Sequence, residues 1–251
     1  MTSGLNVAED RSVMTLGEHL EELRKRVLLS MGGLLVAMAA AALMGRRLVA
    51  LLMLPLSYSG AGDAVELASG RLDAGISAYM RVVFYSGVLL ASPWIFWQIW
   101  LFVSAGLRDN EKRILRLAAP LSAGLFVAGA MFFLFAAAAP AVAFLIGVNN
   151  WLGWRSIIIA HDYIAFVTSM MIIFGLAFQT PIAVLLLAKT GLVKAESFAA
   201  HRRCVMFSIA AVCAIATPSA SPIDMLVLAL PVWLLYELGV LLARQFATRR
   251  D

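Results

Sequence analysis

The stretch that decides the fold is Arg24-Lys25-Arg26-Val27-Leu28-Leu29-Ser30-Met31-Gly32-Gly33-Leu34-Leu35-Val36-Ala37-Met38-Ala39-Ala40-Ala41-Ala42-Leu43-Met44-Gly45-Arg46-Arg47. From 27 to 45 it carries no charge, and basic residues close both ends. At about 1.5 Å per residue, a helix of that length approaches the ~30 Å hydrocarbon core of a bilayer. A helix on the surface of a soluble protein would need a polar face, and this run has none. A cleavable leader has a shorter apolar core. Here 26 residues precede a longer run, so the reading is a retained first span.

Five further apolar runs follow, at about 82–104, 117–139, 163–188, 204–217 and 225–242. The whole chain of 251 residues is 62% hydrophobic and 14% charged. Soluble domains hold about 45–50% apolar and about 25% charged residues. Lipid must therefore solvate much of this chain, and no hydrophilic stretch is long enough for a second domain. The expectation is one all-α membrane domain with six transmembrane helices.

Lysine and arginine set the orientation. The N-terminus, 105–116, 189–203 and the tail together hold fifteen, among them Arg24, Lys25, Arg26, Lys112, Arg113, Arg202 and Arg203. The alternate segments hold five: Arg46, Arg47, Arg71, Arg81 and Arg155. Both ends, including the tail at 243–251, are thus expected in the cytoplasm of a bacterial-type inner membrane. The net charge of +5 is dispersed in short clusters between apolar runs, which excludes a nucleic-acid surface. Cys204 and Cys213 lie nine residues apart in one helix, on opposite sides, so no mutual disulfide is expected.

Two outer segments are more than simple loops. Residues 46–81 contain an apolar stretch at 48–54 closed by Pro55, and 140–162 carry Trp151 and Trp154. Tryptophan favours the headgroup region, so the second is expected to lie on the membrane. The fifth span is short: 14 residues separate Arg203 from Pro218, about 21 Å of helix. The hairpin Pro218-Ser219-Ala220-Ser221-Pro222 then turns the chain back. Such a pair either thins the bilayer or is shielded by neighbours.

Polar residues fall into three groups. Thr15-Leu16-Gly17-Glu18 has the pattern of a capping box. The helix it opens, about 15–26, has an apolar stripe at Leu16, Leu20, Leu23 and Val27 and a polar stripe at His19, Glu22 and Arg26. Glu21–Lys25 and Glu22–Arg26 have the spacing of ordinary helix ion pairs. The second group is the loop Gly106-Leu107-Arg108-Asp109-Asn110-Glu111-Lys112-Arg113, where Asp109 can cap a helix and Glu111 sits in its first turn. Glu22 and Glu111 are both acidic groups among basic ones on the same face, and either carboxylate can take a guanidinium in a bidentate bond. The third group is inside the membrane: Gln179 and Thr180 in the fourth span, Glu237 in the sixth and Asp224 at its outer end. Ionisable groups at that depth are costly and are functional candidates. Glu237 can instead snorkel towards Arg244, and Gln179 can simply bond a neighbouring helix.

No phosphate-binding GK[ST] loop, HExxH or GxSxG is present. His19, His161 and His201 are dispersed, without metal-ligand spacing. The chain is expected to be no enzyme and to need no cofactor, with any energy coming from a partner or the membrane potential.

His19-Leu20-Glu21-Glu22-Leu23-Arg24-Lys25-Arg26 resembles the N-terminal signature H-L-x-E-L-R-x-R of the TatC family. Further matches occur in order: Pro55, Ser92-Pro93, Gln98-Ile99-Trp100-Leu101-Phe102, Glu111-Lys112-Arg113, Phe174-Gly175-Leu176-Ala177-Phe178-Gln179-Thr180-Pro181, Thr217-Pro218 and Tyr236-Glu237-Leu238-Gly239. The resemblance spans about 14–245. It implies a concave, glove-like bundle that acts as the receptor of the twin-arginine translocase. In that family the cytoplasmic N-terminus and first loop bind twin-arginine signal peptides of folded cargo. Glu22 and Glu111 would hold the signal arginines, with His19, Arg24, Phe102 and Arg113 shaping the surface. Gln179, Thr180, Asp224 and Glu237 would serve as intramembrane or partner contacts. Implied partners are small single-span TatA-like and TatB-like subunits, further copies of the chain and the lipid bilayer, with transport driven by the proton-motive force. Two positions depart from the family. Ser221 stands where an aspartate is common, with Asp224 three residues later, and Gln179 stands where many members have glutamate. From the residues alone, the competing readings are a secondary transporter or channel for a small solute and an intramembrane enzyme. Neither the internal repeat of the first nor the catalytic pair of the second is visible.

Overall fold

The computed structural model describes residues 16–59, 66–105, 109–154, 156–189, 198, 201–216 and 222–247; the side chains of 109–117 and 222–224, among others, fall outside that description. The described residues are nearly all helical. Helix α1 spans Leu16–Leu43, α2 Gly45–Tyr58, α3 Ala74–Ala105, α4 Asp109–Phe132, α5 Ala138–Trp151, α6 Ala160–Ala177, α7 Thr180–Lys189, α8 Arg202–Ala216 and α9 Pro222–Ala247. Among the described residues, four helical stretches are long and apolar enough to cross a membrane: Gly17–Leu43, Ala74–Ser104, Ala118–Trp151 and Ala160–Ala188. A shorter apolar helix covers Ala229–Leu241. The capping box at Thr15 lies outside the described residues.

Helices α1 and α3 run antiparallel along a continuous seam. Its rungs pair His19 with Phe102, Arg26 with Gln98, Leu29 with Trp94 and Ala42 with Tyr79. The Trp94 indole donates to the Leu29 carbonyl at 3.0 Å, and the Tyr79 hydroxyl to the Ala42 carbonyl at 2.7 Å. Midway, the helices touch at Gly87, where a Cβ would lie 3.1 Å from the Met38 Cα. Small residues at such crossings let backbones approach in a medium where apolar burial drives little association.

The third span is one rod in three pieces. A π turn, Phe133–Ala137, joins α4 to α5. Pro140 cannot donate the helical bond to the carbonyl four residues back and would clash with it. The wider turn takes up that defect, with the Ala138 amide donating to the Phe133 carbonyl. The segment expected to lie on the membrane from 140 onward thus begins instead as a continuation of the third span, out to Trp151. The fourth span is likewise broken. Helix α6 stops at Ala177, four residues before Pro181, and α7 resumes at Thr180 with that proline in its first turn.

The first outer segment also differs from expectation. Pro55 lies inside α2, buried, and the helix runs on to Tyr58. Residues Glu66–Ala68 form a strand, β1, that pairs in parallel with β2 at Ile157–Ile159. This short clip ties the α2–α3 connection to the α5–α6 connection and makes the fold nearly, not wholly, α.

The main core lies between α3, the α4–π–α5 rod and α6, around Val82, Ala130, Leu134, Val167, Met170 and Phe174, with Leu52 and Leu56 of α2 closing one end. Helices α4 and α6 meet at two facing glycines. A Cβ on Gly129 would fall 2.6 Å from the Phe174 carbonyl oxygen, and one on Gly175 2.8 Å from the Phe126 ring. A separate cluster of Val184, Tyr236, Val240 and Ala243 joins α7 to α9. The Tyr236 hydroxyl there donates to the Phe198 carbonyl at 2.7 Å.

Candidate functional site

The N-terminal end of the α1–α3 seam gathers the first set of candidate residues. The imidazole of His19 stacks on the Phe102 ring with centroids 4.5 Å apart. One helical turn on, Glu22 Oε1 accepts from Arg26 Nε at 2.6 Å and makes an ion-pair contact with Nη2 at 2.5 Å. Arg26 Nη1 reaches across the seam and donates to Gln98 Oε1 at 3.0 Å. Gln98 is only 3% exposed, whereas the Glu22 and Arg26 side chains each keep 21% of their surface in contact with solvent. The carboxylate is therefore shielded yet reachable from outside.

The faces of α1 are reversed relative to a soluble amphipathic helix. The polar stripe His19, Glu22 and Arg26 continues into Gly33, Ala37 and Ala41 and packs against α3, while Leu20, Leu23 and Val27 are exposed. This follows from the solvent: lipid accepts leucine, so the polar groups seek partners inside the protein. Of the two expected ion pairs, Glu22–Arg26 forms; among the described residues Glu21 and Lys25, both exposed, make none. Arg24 is exposed beside them.

Below Glu22 an apolar groove of about 290 Å³ opens between the two helices, lined by Leu23, Val27, Met31, Leu34, Ile95 and Ile99 with Phe102 and Arg26 at one end. From Leu23 to Leu34 it follows α1 for about 16 Å. It is long enough for roughly three turns of an apolar helix.

The second set centres on Ser122 of α4. Its hydroxyl accepts from the Trp100 indole at 2.9 Å, and its carbonyl accepts from Gln179 Nε2 at 2.9 Å. Gln179 thus clamps the break between α6 and α7 onto α4, the inter-helix role open to it from sequence. Thr180 turns its hydroxyl back to the Ala177 carbonyl at 2.6 Å and serves the same break. The third set is Glu237, which accepts from Arg202 Nη2 at 2.7 Å across α8 and α9. Helical spacing along α9 does not point to Arg202, which lies on another helix. The side chains of Glu111, Arg113 and Asp224 lie outside the described residues.

The structure brings together His19, Glu22 and Phe102, and separately Gln179 and Thr180. It adds Gln98, Trp100, Ser122 and Arg202, which sequence reasoning had not singled out as site residues. The available signal was a buried polar group within an apolar span, which must find a partner.

Comparison with known proteins is consistent with this geometry. Residues 18–231 match the family model for the Sec-independent protein translocase protein TatC. The TatC protein of Deinococcus radiodurans is 33% identical over 92% of this chain and 86% of its own length. The TatCy protein of Bacillus subtilis is 29% identical over 92% of this chain and 89% of its own. Two crystal structures of the twin-arginine translocase receptor TatC superpose with TM-scores of 0.79 and 0.81, at 29% and 28% identity, each covering 90% of this chain. They are covered over 98% and 99% of their own length. The chain belongs to the TatC family of Sec-independent protein translocase proteins.

Proposed function

We propose that this chain is the receptor subunit of a twin-arginine translocase, binding the signal peptides of folded cargo at its cytoplasmic face. Membership of the family makes it a membrane component of protein transport and not an enzyme. The observation that carries the proposal is Glu22: a shielded carboxylate already fitted to a guanidinium, that of Arg26, which itself lines an apolar groove. A signal peptide has a basic segment followed by an apolar run of about 7–15 residues. One arginine of the pair docks on Glu22 and the other on Glu111, and the apolar run enters the groove. His19 and Phe102 wall the site, and Arg24 and Arg113 shape its rim.

In this reading α8 and α9 complete six spans, and both termini face the cytoplasm of the inner membrane, as the fifteen-to-five distribution of basic residues supports. Single-span TatA-like and TatB-like subunits join the complex, alongside further copies of the chain. The exposed stripe Leu230, Leu234, Leu238 and Leu241 on α9 offers such a helix a face of suitable spacing. Gln179, Thr180, Asp224 and Glu237 serve this assembly as intramembrane or partner contacts, and the proton-motive force supplies the energy. Photo-crosslinking of the protein in membranes to a twin-arginine signal peptide tests the proposal. Failure to crosslink selectively refutes it.

A further inference from the structure

We infer that Arg26 is an internal occupant of the Glu22 carboxylate and that this occupancy sets the preference for arginine over lysine in the incoming peptide. The inference rests on the receptor reading given above. Three observations carry it. Arg26 donates from Nε to Oε1 of Glu22 and holds Nη2 in ion-pair contact with the same oxygen. Its remaining terminal nitrogen, Nη1, is held by Gln98. Gln98 is buried and belongs to α3, so it stays in place when Glu22 changes partner.

The chemistry of exchange follows. An incoming side chain that takes Glu22 must replace the charge-assisted Nε bond and the Nη2 ion-pair contact on Oε1. A guanidinium presents a planar fork of donors that matches a carboxylate in a bidentate bond, so it gives back what it displaces. An ammonium is a point donor and does not present that fork, so it leaves Arg26 in place or forfeits a bond. The displaced Arg26 is not stranded: Gln98 keeps one of its donors satisfied while the rest turns to water through its exposed fraction. Exchange therefore leaves no buried charge unpaired, the outcome that would otherwise forbid it. Gln98 is a positioning residue in this scheme, and Arg26 is a built-in competitor.

The test uses the purified full chain in lipid nanodiscs and two labelled signal peptides, one with the arginine pair and one with lysines in its place. Dissociation constants are measured for the parent, Arg26→Gln, Arg26→Lys and Gln98→Leu. With Arg26→Gln, both peptides bind more tightly and the lysine peptide gains more. The arginine-to-lysine ratio then falls roughly tenfold, about the worth of one charge-assisted bond. Arg26→Lys, which keeps the charge but not the fork, moves the ratio part of the way in the same direction. Gln98→Leu weakens the arginine peptide and leaves the lysine peptide unchanged. Equal gains for both peptides in Arg26→Gln, or losses for both with an unaltered ratio, overturn the inference. If Arg26→Gln does not fold, an unchanged ratio in Arg26→Lys overturns it alone. A parent that fails to distinguish the two peptides refutes instead the receptor reading beneath it.

Discussion

Replacing Gly129 by alanine separates the packing of α4 on α6 from simple helix propensity. The added methyl would stand 2.6 Å from the Phe174 carbonyl oxygen and 2.8 Å from the Phe178 ring. Ordinary contact begins near 3.4 Å, so the helices must part by about 0.8 Å at a cost of roughly 1–3 kcal/mol for overpacking. Alanine returns up to ~1 kcal/mol of helix propensity. The same separation stretches the Gln179–Ser122 bond, now 2.9 Å, beyond hydrogen-bonding range, losing about 0.6–1.7 kcal/mol in a membrane setting. The net expectation is about 2 kcal/mol of destabilisation, or roughly 4–8 °C in melting temperature for a domain of this size. Melting in detergent of Gly129→Ala, Gln179→Leu and the double variant checks both halves of the argument. If the glycine contact holds the clamp closed, Gln179→Leu costs little more once Gly129→Ala is present. A single variant that melts at or above the parent, or costs that add fully, would refute this account of the crossing.

Arg202→Met strands the Glu237 carboxylate, whose side chain is only 19% exposed, and is expected to cost about 1–2 kcal/mol. Combining it with Glu237→Leu should restore most of that loss in the same melting assay, because an unpaired charge is worse than none. Ile99→Trp places bulk into the groove beside Glu22. It should weaken binding of a twin-arginine peptide about tenfold with the melting temperature unchanged, and unaltered binding would show that the peptide's apolar run lies elsewhere.

Much of this architecture is legible in the sequence, because apolar runs near twenty residues have few solutions other than membrane helices. The α8 helix, Arg202–Ala216, is as short as the spacing of Arg203 and Pro218 implied. What the sequence obscures has physical causes. The two stripes of α1 are plain from spacing, but which one packs inward depends on the solvent, and lipid reverses the usual answer. Pro140 marks a helix defect, yet only the neighbouring packing decides between a stop and a π turn. The Glu66–Ala68 and Ile157–Ile159 strands are three residues each, too short for a period of two to register. Glu237 finds Arg202, 35 residues away in sequence, which spacing along one helix could not show, since it says nothing of the neighbouring helix. Gln98 and Ser122 look like incidental polar residues in apolar spans until Arg26, Trp100 and Gln179 are seen to bond them.

The central claim is that two carboxylates on the cytoplasmic face read an arginine pair. Photo-crosslinking in native membranes, with a twin-arginine peptide and its twin-lysine counterpart against the parent, Glu22→Ala and Glu111→Ala, tests it most directly. The account predicts selective crosslinking of the arginine peptide to the parent and its loss in both variants. Equal crosslinking of the two peptides to the parent, or selectivity that survives both substitutions, would contradict it.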